Sequence, residues 1–404
     1  METIVKLIGG LIPDDLLSFL PKEVHPSTVY LLRVALNHQN SGYVDAVLDF
    51  TWEQLNTGHW CNVPVWLRQV YTVAALIKVK LSLSEMQDQP SEETIMHQNV
   101  MEILDMGLLL GAPLAAPAPD LSDLARILSE NISKDVDMKP LAVSEFKRQR
   151  LLASDISGIH GTPVPTVECP SLESFYAMYF KPLVPVKITG CMSHWPAMER
   201  WTDFTYLQAK AGARTVPVEL GPHYLHPDWS QKLMTVGTFI KDYVRNPESG
   251  KDVGYLAQHP LFDQIPELKD DIRIPDYCCL SSEDKNEEQS EDPDINAWFG
   301  PQGTVTPLHY DPKHNLLAQV IGEKRVLLYS PTDSDVLYPP KSGLVTNTAQ
   351  VDPEAPDYES FPLYKEISAM ETVLLPGEML YIPPGWWHHV RALSTSFSVS
   401  FWWM

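Results

Sequence analysis

In "TPLHYDPKHN", residues 306–315, His309 and Asp311 are separated by one residue. On an extended segment, residues i and i+2 project to the same face, so both side chains can reach one ion while Tyr310 points away. Spacing alone decides nothing: with this many acids, about 1.7 His-x-acid pairs are expected by accident, and the chain holds two. The other, His226-Pro227-Asp228, reads as a turn or the first turn of a helix, because a proline followed by an acid suits both. Two imidazoles and one carboxylate on one side of a metal make the facial triad of non-haem Fe(II), which leaves positions open for oxygen and a cosubstrate. The third ligand must come from elsewhere. "GEMLYIPPGWWHHVRAL" offers a strand, a Pro-Gly turn, and then His388 and His389 at the start of another strand. Alternation sends these two to opposite faces, so only one can meet the ion.

Such ligands need strands to hold them. From about Val164 the apolar period is two, with prolines punctuating runs such as "VPVKITG", "TVPVEL", "LLAQVIG", "RVLLYSP", "ETVLLP" and "EMLYIPP". This is the pattern of a sandwich or barrel joined by tight turns. "LAQVIGEKRVLLY" reads as a hairpin, with Gly322-Glu323 as a two-residue II′ turn. Residues 281–294, "SSEDKNEEQSEDPD", read as an acidic surface loop. The first third is different: "WLRQVYTVAALIKVKLSLS" from Trp66 and "EETIMHQNVMEILDMGLLLG" from Glu92 carry apolar residues at helical spacing. The second ends at Gly111 before a Pro/Ala connector, whose Asp120 can cap "LSDLARILSEN". No internal repeat is legible. The expected organisation is α+β in two units: a helical interaction domain over 1–135, a linker over 136–160, and a β-rich domain over 161–404.

A net charge of −22 argues against broad attachment to nucleic acid or anionic membrane, since either needs a positive face, and favours basic partners. The five cysteines form no legible disulfide framework, which suits a reducing compartment. The N-terminus shows no cleavage site, and no apolar run approaches membrane-spanning length. Nuclear or cytoplasmic placement is expected, not secretion; "FKRQR", residues 146–150, is only a weak nuclear address.

The order of several motifs says more than any one of them. "DVGYLAQHPLFDQIPEL", "NAWFGPQGTVTPLHYDPKHNLLAQVIGEKRVLLYSP", "LLPGEMLYIPPGWWHHV" and "SFSVSFWW" succeed one another over roughly residues 160–404. This succession resembles the JmjC family of Fe(II)/2-oxoglutarate oxygenases. The resemblance implies a double-stranded β-helix, a cupin-type jelly roll with iron at its mouth. It implies His309, Asp311 and His388 as iron ligands, His388 because it follows "WW" where the family has an aromatic before its distal histidine. His389 would then stand behind the ligands or in solvent. Lys324 would pair with the far carboxylate of 2-oxoglutarate, with Tyr255, Thr306 and Asn315 as hydrogen-bonding groups around it. Trp298 and Trp402 would lie near the mouth, and Glu219 could meet a cationic substrate side chain. In "SFSVSFWW" the face of Ser396, Ser398, Ser400 and Trp402 is expected to line a cavity. Taken singly, Lys324 reads as a solvated edge residue, the tryptophans as core, and Glu219 as a surface acid.

The implied reaction couples oxidative decarboxylation of 2-oxoglutarate by O2, yielding succinate, to hydroxylation of a C–H bond. The substrate implied is a basic, arginine-containing protein or peptide such as a histone, hydroxylated on arginine at an unactivated carbon; the protein would then be a chromatin regulator. The alternatives are N-methyl-lysine demethylation, endopeptidase action on methylated histone tails through a metal-bound water, and a non-catalytic cupin scaffold serving the helical region. The cysteines lack zinc-finger spacing, which favours the hydroxylase. The helical region is expected to bind a protein partner.

Overall fold

The computed structural model describes residues 2–58, 62–88, 93–132, 161–245, 253–281, 292–343 and 345–404. The linker expected over 136–160 lies outside the described residues, as do residues 282–291 of the acidic loop. The loop's last residue, Asp294, opens a strand and pairs with Lys313.

Among the described residues six α-helices come first: α1 (Glu2–Leu11), α2 (Pro26–His38), α3 (Gly42–Leu55), α4 (Val65–Asp88), α5 (Glu93–Leu110) and α6 (Leu121–Ile132). α4 is the hub, because Val70, Val73, Ala74, Leu76 and Ile77 are buried nearly all round it against α3 and α5. Asp120 Oδ1 accepts from the Ser122 amide at 2.8 Å and so caps α6. Among the described residues no helix is long and apolar enough to cross a membrane.

Fourteen strands follow: β1 (Thr162–Pro163), β2 (Thr166–Glu168), β3 (Val186–Thr189), β4 (Thr215–Leu220), β5 (Ser230–Thr235), β6 (Gly254–His259), β7 (Asp294–Gly300), β8 (Val305–Tyr310), β9 (His314–Ile321), β10 (Lys324–Tyr329), β11 (Met370–Leu374), β12 (Met379–Ile382), β13 (Trp387–Ala392) and β14 (Ser396–Trp403). They form a five-stranded sheet, β1-β11-β10-β13-β8, facing a nine-stranded sheet, β2-β3-β12-β9-β14-β7-β6-β4-β5. Val326, Leu328, Leu374 and Val390 of the first meet Leu317, Leu380 and Ile382 of the second. The outer face of the larger sheet is covered too, through Phe299, Phe397, Val399 and Phe401 packed on Trp201, Phe239 and Phe262. Leu308, Leu327, Tyr329 and Trp387 do the same for the smaller sheet, beneath Leu337, Val351 and Tyr364. Burial on both faces explains why β10 is buried at all six positions.

It also explains a correction. No hairpin forms across Gly322-Glu323: β9 pairs with β12 and β14, and β10 pairs with β11 and β13, so the turn carries the chain from one sheet to the other. Strands buried on both faces lose the alternation that marks a pairing, and the sequence shows only that a tight turn is present. Glycine is still required, since Gly322 has φ +70° and a Cβ there would lie 1.9 Å from the Thr395 carbonyl oxygen. Gly322→Ala is expected to cost about 2 kcal/mol or more, read as a lower midpoint in urea unfolding.

The helical region is joined to the sheets by a buried ion pair. Asp105 of α5 accepts from Arg214 Nε at 2.9 Å, the Thr215 amide at 2.6 Å and Gln264 Nε2 at 2.8 Å. Arg214 also donates to the Gln264 carbonyl at 2.8 Å, and neither Asp105 nor Arg214 has any exposed surface.

Candidate active site

His309 is the penultimate residue of β8 and Asp311 follows the strand; His388 lies opposite His309 on the neighbouring β13. Their ligand atoms all lie within 4.8 Å of one another. Asp311 Oδ2 is 3.8 Å from His309 Nε2 and 3.5 Å from His388 Nε2. The other ring nitrogens are tied to backbone carbonyls: His309 Nδ1 donates to Pro307 at 2.9 Å and His388 Nδ1 to Trp386 at 3.0 Å. Those two bonds fix the tautomer and turn each Nε2 lone pair inward. Burial, with His309 beside it, pushes His388 down to about 4, which keeps it in the neutral form that binds metal. Asp311 Oδ2 is buried with no hydrogen-bond partner. A buried carboxylate oxygen between two imidazole lone pairs is costly unless a cation joins them, so these three residues could hold a divalent metal.

A backbone irregularity makes this geometry compatible with the rest of the cleft. Between the pairs His388↔His309 and Val390↔Thr306, β8 spends two residues, Pro307 and Leu308, against the single His389. In a regular strand Thr306 and His309 would face opposite sides; this bulge lets both line one cleft, and Pro307 costs no ladder bond at a bulge. The outer edge of β8 is closed by residues 347–349, through Tyr310 N to the Asn347 carbonyl at 3.0 Å and Ala349 N to the Leu308 carbonyl at 2.8 Å.

Thr306, His309, Asp311, His388, Tyr255, Asn315, Lys324, Trp298 and Trp402 all line this narrow cleft, of about 20 Å³. Larger cavities of about 420 and 560 Å³ also occur, the first within the helical region and the second between it and His259, Pro260, Asp263 and Gln264. Lys324 is buried, not a solvated edge residue; its Nζ donates to the Tyr255 hydroxyl at 3.2 Å, and Thr306 hydrogen-bonds the same hydroxyl. Burial pushes Lys324 down to about 7 and Tyr255 up. Asn315 Oδ1 and Trp402 Nε1 are buried without partners. Trp298 is fixed by donating Nε1–H to Ser400 Oγ at 2.9 Å. A buried lysine with further N–H donors and an unpartnered indole N–H fit a small dicarboxylate beside a metal, and Asn315 could meet it through its amide NH2.

Other expected residues fall differently. Glu219 does not line the cleft; it sits on β4, in register with Tyr255 of β6, and accepts a hydrogen bond from Trp229. Burial raises its carboxyl above the usual range. His389 is buried, not exposed, on the opposite face of β13 near Asp352 and Glu354, and burial pushes it down to about 3. Ser396, Ser398 and Ser400 are fully buried and do not line the cleft: Ser398 donates to Gln319 Oε1 at 2.7 Å, Ser400 accepts from Trp298, and Ser396 Oγ is buried without a hydrogen-bond partner; of that face only Trp402 reaches the cleft. His226 and Asp228 form an exposed turn, with the Asp228 amide donating to His226 Nδ1 at 3.2 Å. Sequence reasoning passed over Tyr224 and Trp229, in that same turn region. Tyr224 Oη meets Thr348 Oγ1 at 3.3 Å and feels the charges of Asp311 and Glu219. Their only signal was aromatic density in "HYLHPDW".

The fold and the residues at its mouth define a double-stranded β-helix with a two-histidine, one-carboxylate centre. Comparison with known proteins agrees: residues 172–404 match the cupin-like domain family, and residues 33–139 match the KDM8-like N-terminal ARM repeats. The chain therefore belongs to the cupin-like JmjC family, whose members are Fe(II)- and 2-oxoglutarate-dependent dioxygenases. It is 39% identical over 393 residues to Jumonji C domain-containing protein 5 of Drosophila melanogaster, covering 93% of this chain and 92% of the relative. It is 45% identical over 362 residues to lysine-specific demethylase 8 of Danio rerio, covering 88% and 86%. Lysine-specific demethylase JMJ30 of Arabidopsis thaliana is 42% identical, covering 89% and 85%. The ARM match assigns repeats to a region where none is legible in the residues themselves. Such units share the spacing of buried positions more than residue identities, so period-counting misses them.

Proposed function

We propose that this chain hydroxylates an arginine side chain of a basic protein or peptide, with Fe(II) held by His309, Asp311 and His388 and 2-oxoglutarate held by Lys324. The observation that carries the reading is a single cleft in which Asp311 Oδ2 and Asn315 Oδ1 are orphaned beside a buried lysine that donates to a tyrosine hydroxyl. When bound, iron and 2-oxoglutarate supply the oxidising chemistry with O2 and leave succinate. His309 and His388 present fixed Nε2 lone pairs, and Asp311 supplies the charge. Lys324, steadied by Tyr255 and through it by Thr306, meets the far carboxylate, while Asn315 and Trp402 offer the remaining polar contacts. Trp298 and Trp402 wall the cleft against water.

Glu219 favours arginine. It is a half-buried carboxylate with one indole donor, and a guanidinium supplies several N–H groups in a fork that matches it. A heavily methylated lysine ammonium supplies few or none. The second reading, lysine demethylation, rests on the names of the Danio and Arabidopsis relatives. Mass spectrometry separates the two: incubation with histone-tail peptides should add one oxygen to an arginine residue. Loss of a methyl group from lysine, with arginine untouched, would establish demethylation instead. Glu219→Gln should raise KM for the arginine peptide about tenfold or more while leaving peptide-independent turnover of 2-oxoglutarate near wild type.

A pH dependence follows from Lys324. Near neutrality the free protein holds it partly deprotonated, and a bound carboxylate raises its pKa again. Binding therefore takes up a proton above about pH 7, and 2-oxoglutarate affinity should fall by up to about tenfold per pH unit from there. Calorimetry in two buffers of different ionisation enthalpy measures the uptake.

A further inference from the structure

Two cysteines that do not line the cleft lie at the ends of neighbouring strands. Cys169 follows β2 and Cys191 lies two residues beyond β3; the strands are parallel neighbours with Glu168 opposite Thr189, and the Cys169 amide donates to the Thr189 carbonyl at 2.9 Å. Cys169 (φ +35°) and Gly190 (φ +80°) both leave the extended conformation just where the strands end. Gly190 interposes no side chain, and a Cβ there would lie 3.9 Å from that of Cys169. The two thiols come within hydrogen-bonding reach of each other. Tyr277 Oη donates to the Pro170 carbonyl at 2.7 Å and therefore accepts from the Cys191 thiol, 3.6 Å away.

We propose that Cys169 and Cys191 are a peroxide-modifiable dithiol that closes reversibly to a disulfide. The two thiols are not equivalent. Cys169 is exposed and meets the oxidant, whereas Cys191 is half-buried and held protonated against Tyr277. Burial, with Cys169 beside it, raises Cys191 to about 11, so it does not compete for the first step. The Cys169 thiolate attacks hydrogen peroxide: an S–O bond forms, the O–O bond breaks, and the departing hydroxide takes up the proton that the Cys169 thiol released, leaving as water and giving a sulfenic acid. Cys191 sulfur then attacks Cys169 sulfur: the S–S bond forms, the S–O bond breaks, and the departing hydroxide takes the Cys191 proton as a second water. Two thiols and one peroxide become one disulfide and two waters. The register that sets Glu168 opposite Thr189 leaves Cys169 and Cys191 at the ends of adjacent strands, with only Gly190 between Thr189 and Cys191. The neighbouring Cys278 and Cys279 cannot bridge each other without strain.

The test uses the full chain. After treatment with hydrogen peroxide, free thiols are alkylated and the protein is digested with trypsin, which cuts after Lys187 and separates the two cysteines. A Cys169–Cys191 linked peptide pair that dithiothreitol dissolves is the expected result. In Cys191→Ser, which removes only the second step, Cys169 should stop at sulfenic acid and be captured by dimedone. Wild-type protein with both residues alkylated after peroxide, or with Cys169 driven to sulfinic acid or bridged to another cysteine, would overturn the proposal.

Discussion

Asp311→Ala should lower succinate production on the order of 10³-fold or more while leaving the metal-free protein at least as stable as wild type. The two halves come from one atom. Asp311 Oδ2 is buried and unpartnered, so without metal the carboxylate is a group the fold tolerates at a cost. With metal it is the only anionic ligand among the three residues. A side chain kept for packing would behave the opposite way, losing stability first and activity only as a result. Thermal unfolding without metal, beside anaerobic Fe(II) titration and succinate release, separates these cases. A drop of several degrees in the metal-free melting temperature, with succinate release retained, would remove the metal-centre assignment. His388→Ala should also abolish turnover, whereas His389→Ala, on the far face of β13, should leave iron bound.

Asp105→Ala should cost about 3–5 kcal/mol, a larger loss of stability than Gly322→Ala brings. Removing that carboxylate leaves Arg214 with no exposed surface beside a carbonyl, takes one of the two acceptors from Gln264 Nε2, which keeps only the Thr215 carbonyl, and unpairs the Thr215 amide at the start of β4. The penalty is that of an uncompensated buried charge, not the worth of one hydrogen bond. The double change Asp105→Leu with Arg214→Met removes both charges and should recover most of the loss, and urea unfolding of the single and double variants closes the cycle. If Asp105→Ala unfolds within about 1 kcal/mol of wild type, α5 is an appendage to the sheets and not part of their support. The same network predicts that the β-rich region expressed from residue 161 is much less stable than the full chain, since Arg214 then has no carboxylate.

The legible part of this protein is what depends on neighbours in the chain. Apolar spacing separated the α4 and α5 region from the stranded region because helix and strand periods are written residue by residue. The order of motifs placed Lys324, His309 and Asp311 in one family pattern for the same reason. That motif order also picked His388 over His389, whereas strand alternation alone left the two equal; the side of β13 that is covered is set by Leu337, Val351 and Tyr364 from elsewhere in the chain. Thr306 joins His309 only because Pro307 and Leu308 share one partner position, and a bulge belongs to two strands at once. Gly322 announced a turn, but whether it closes a hairpin or crosses between sheets depends on strands up to about seventy residues away. Asp105 with Arg214, Tyr224 with Thr348, and Cys169 with Cys191 are likewise pairs brought together by packing. Local chemistry was set by the amino-acid sequence alone; partners, faces and burial were decided by tertiary structure, because each is a relation between segments that do not adjoin in the chain.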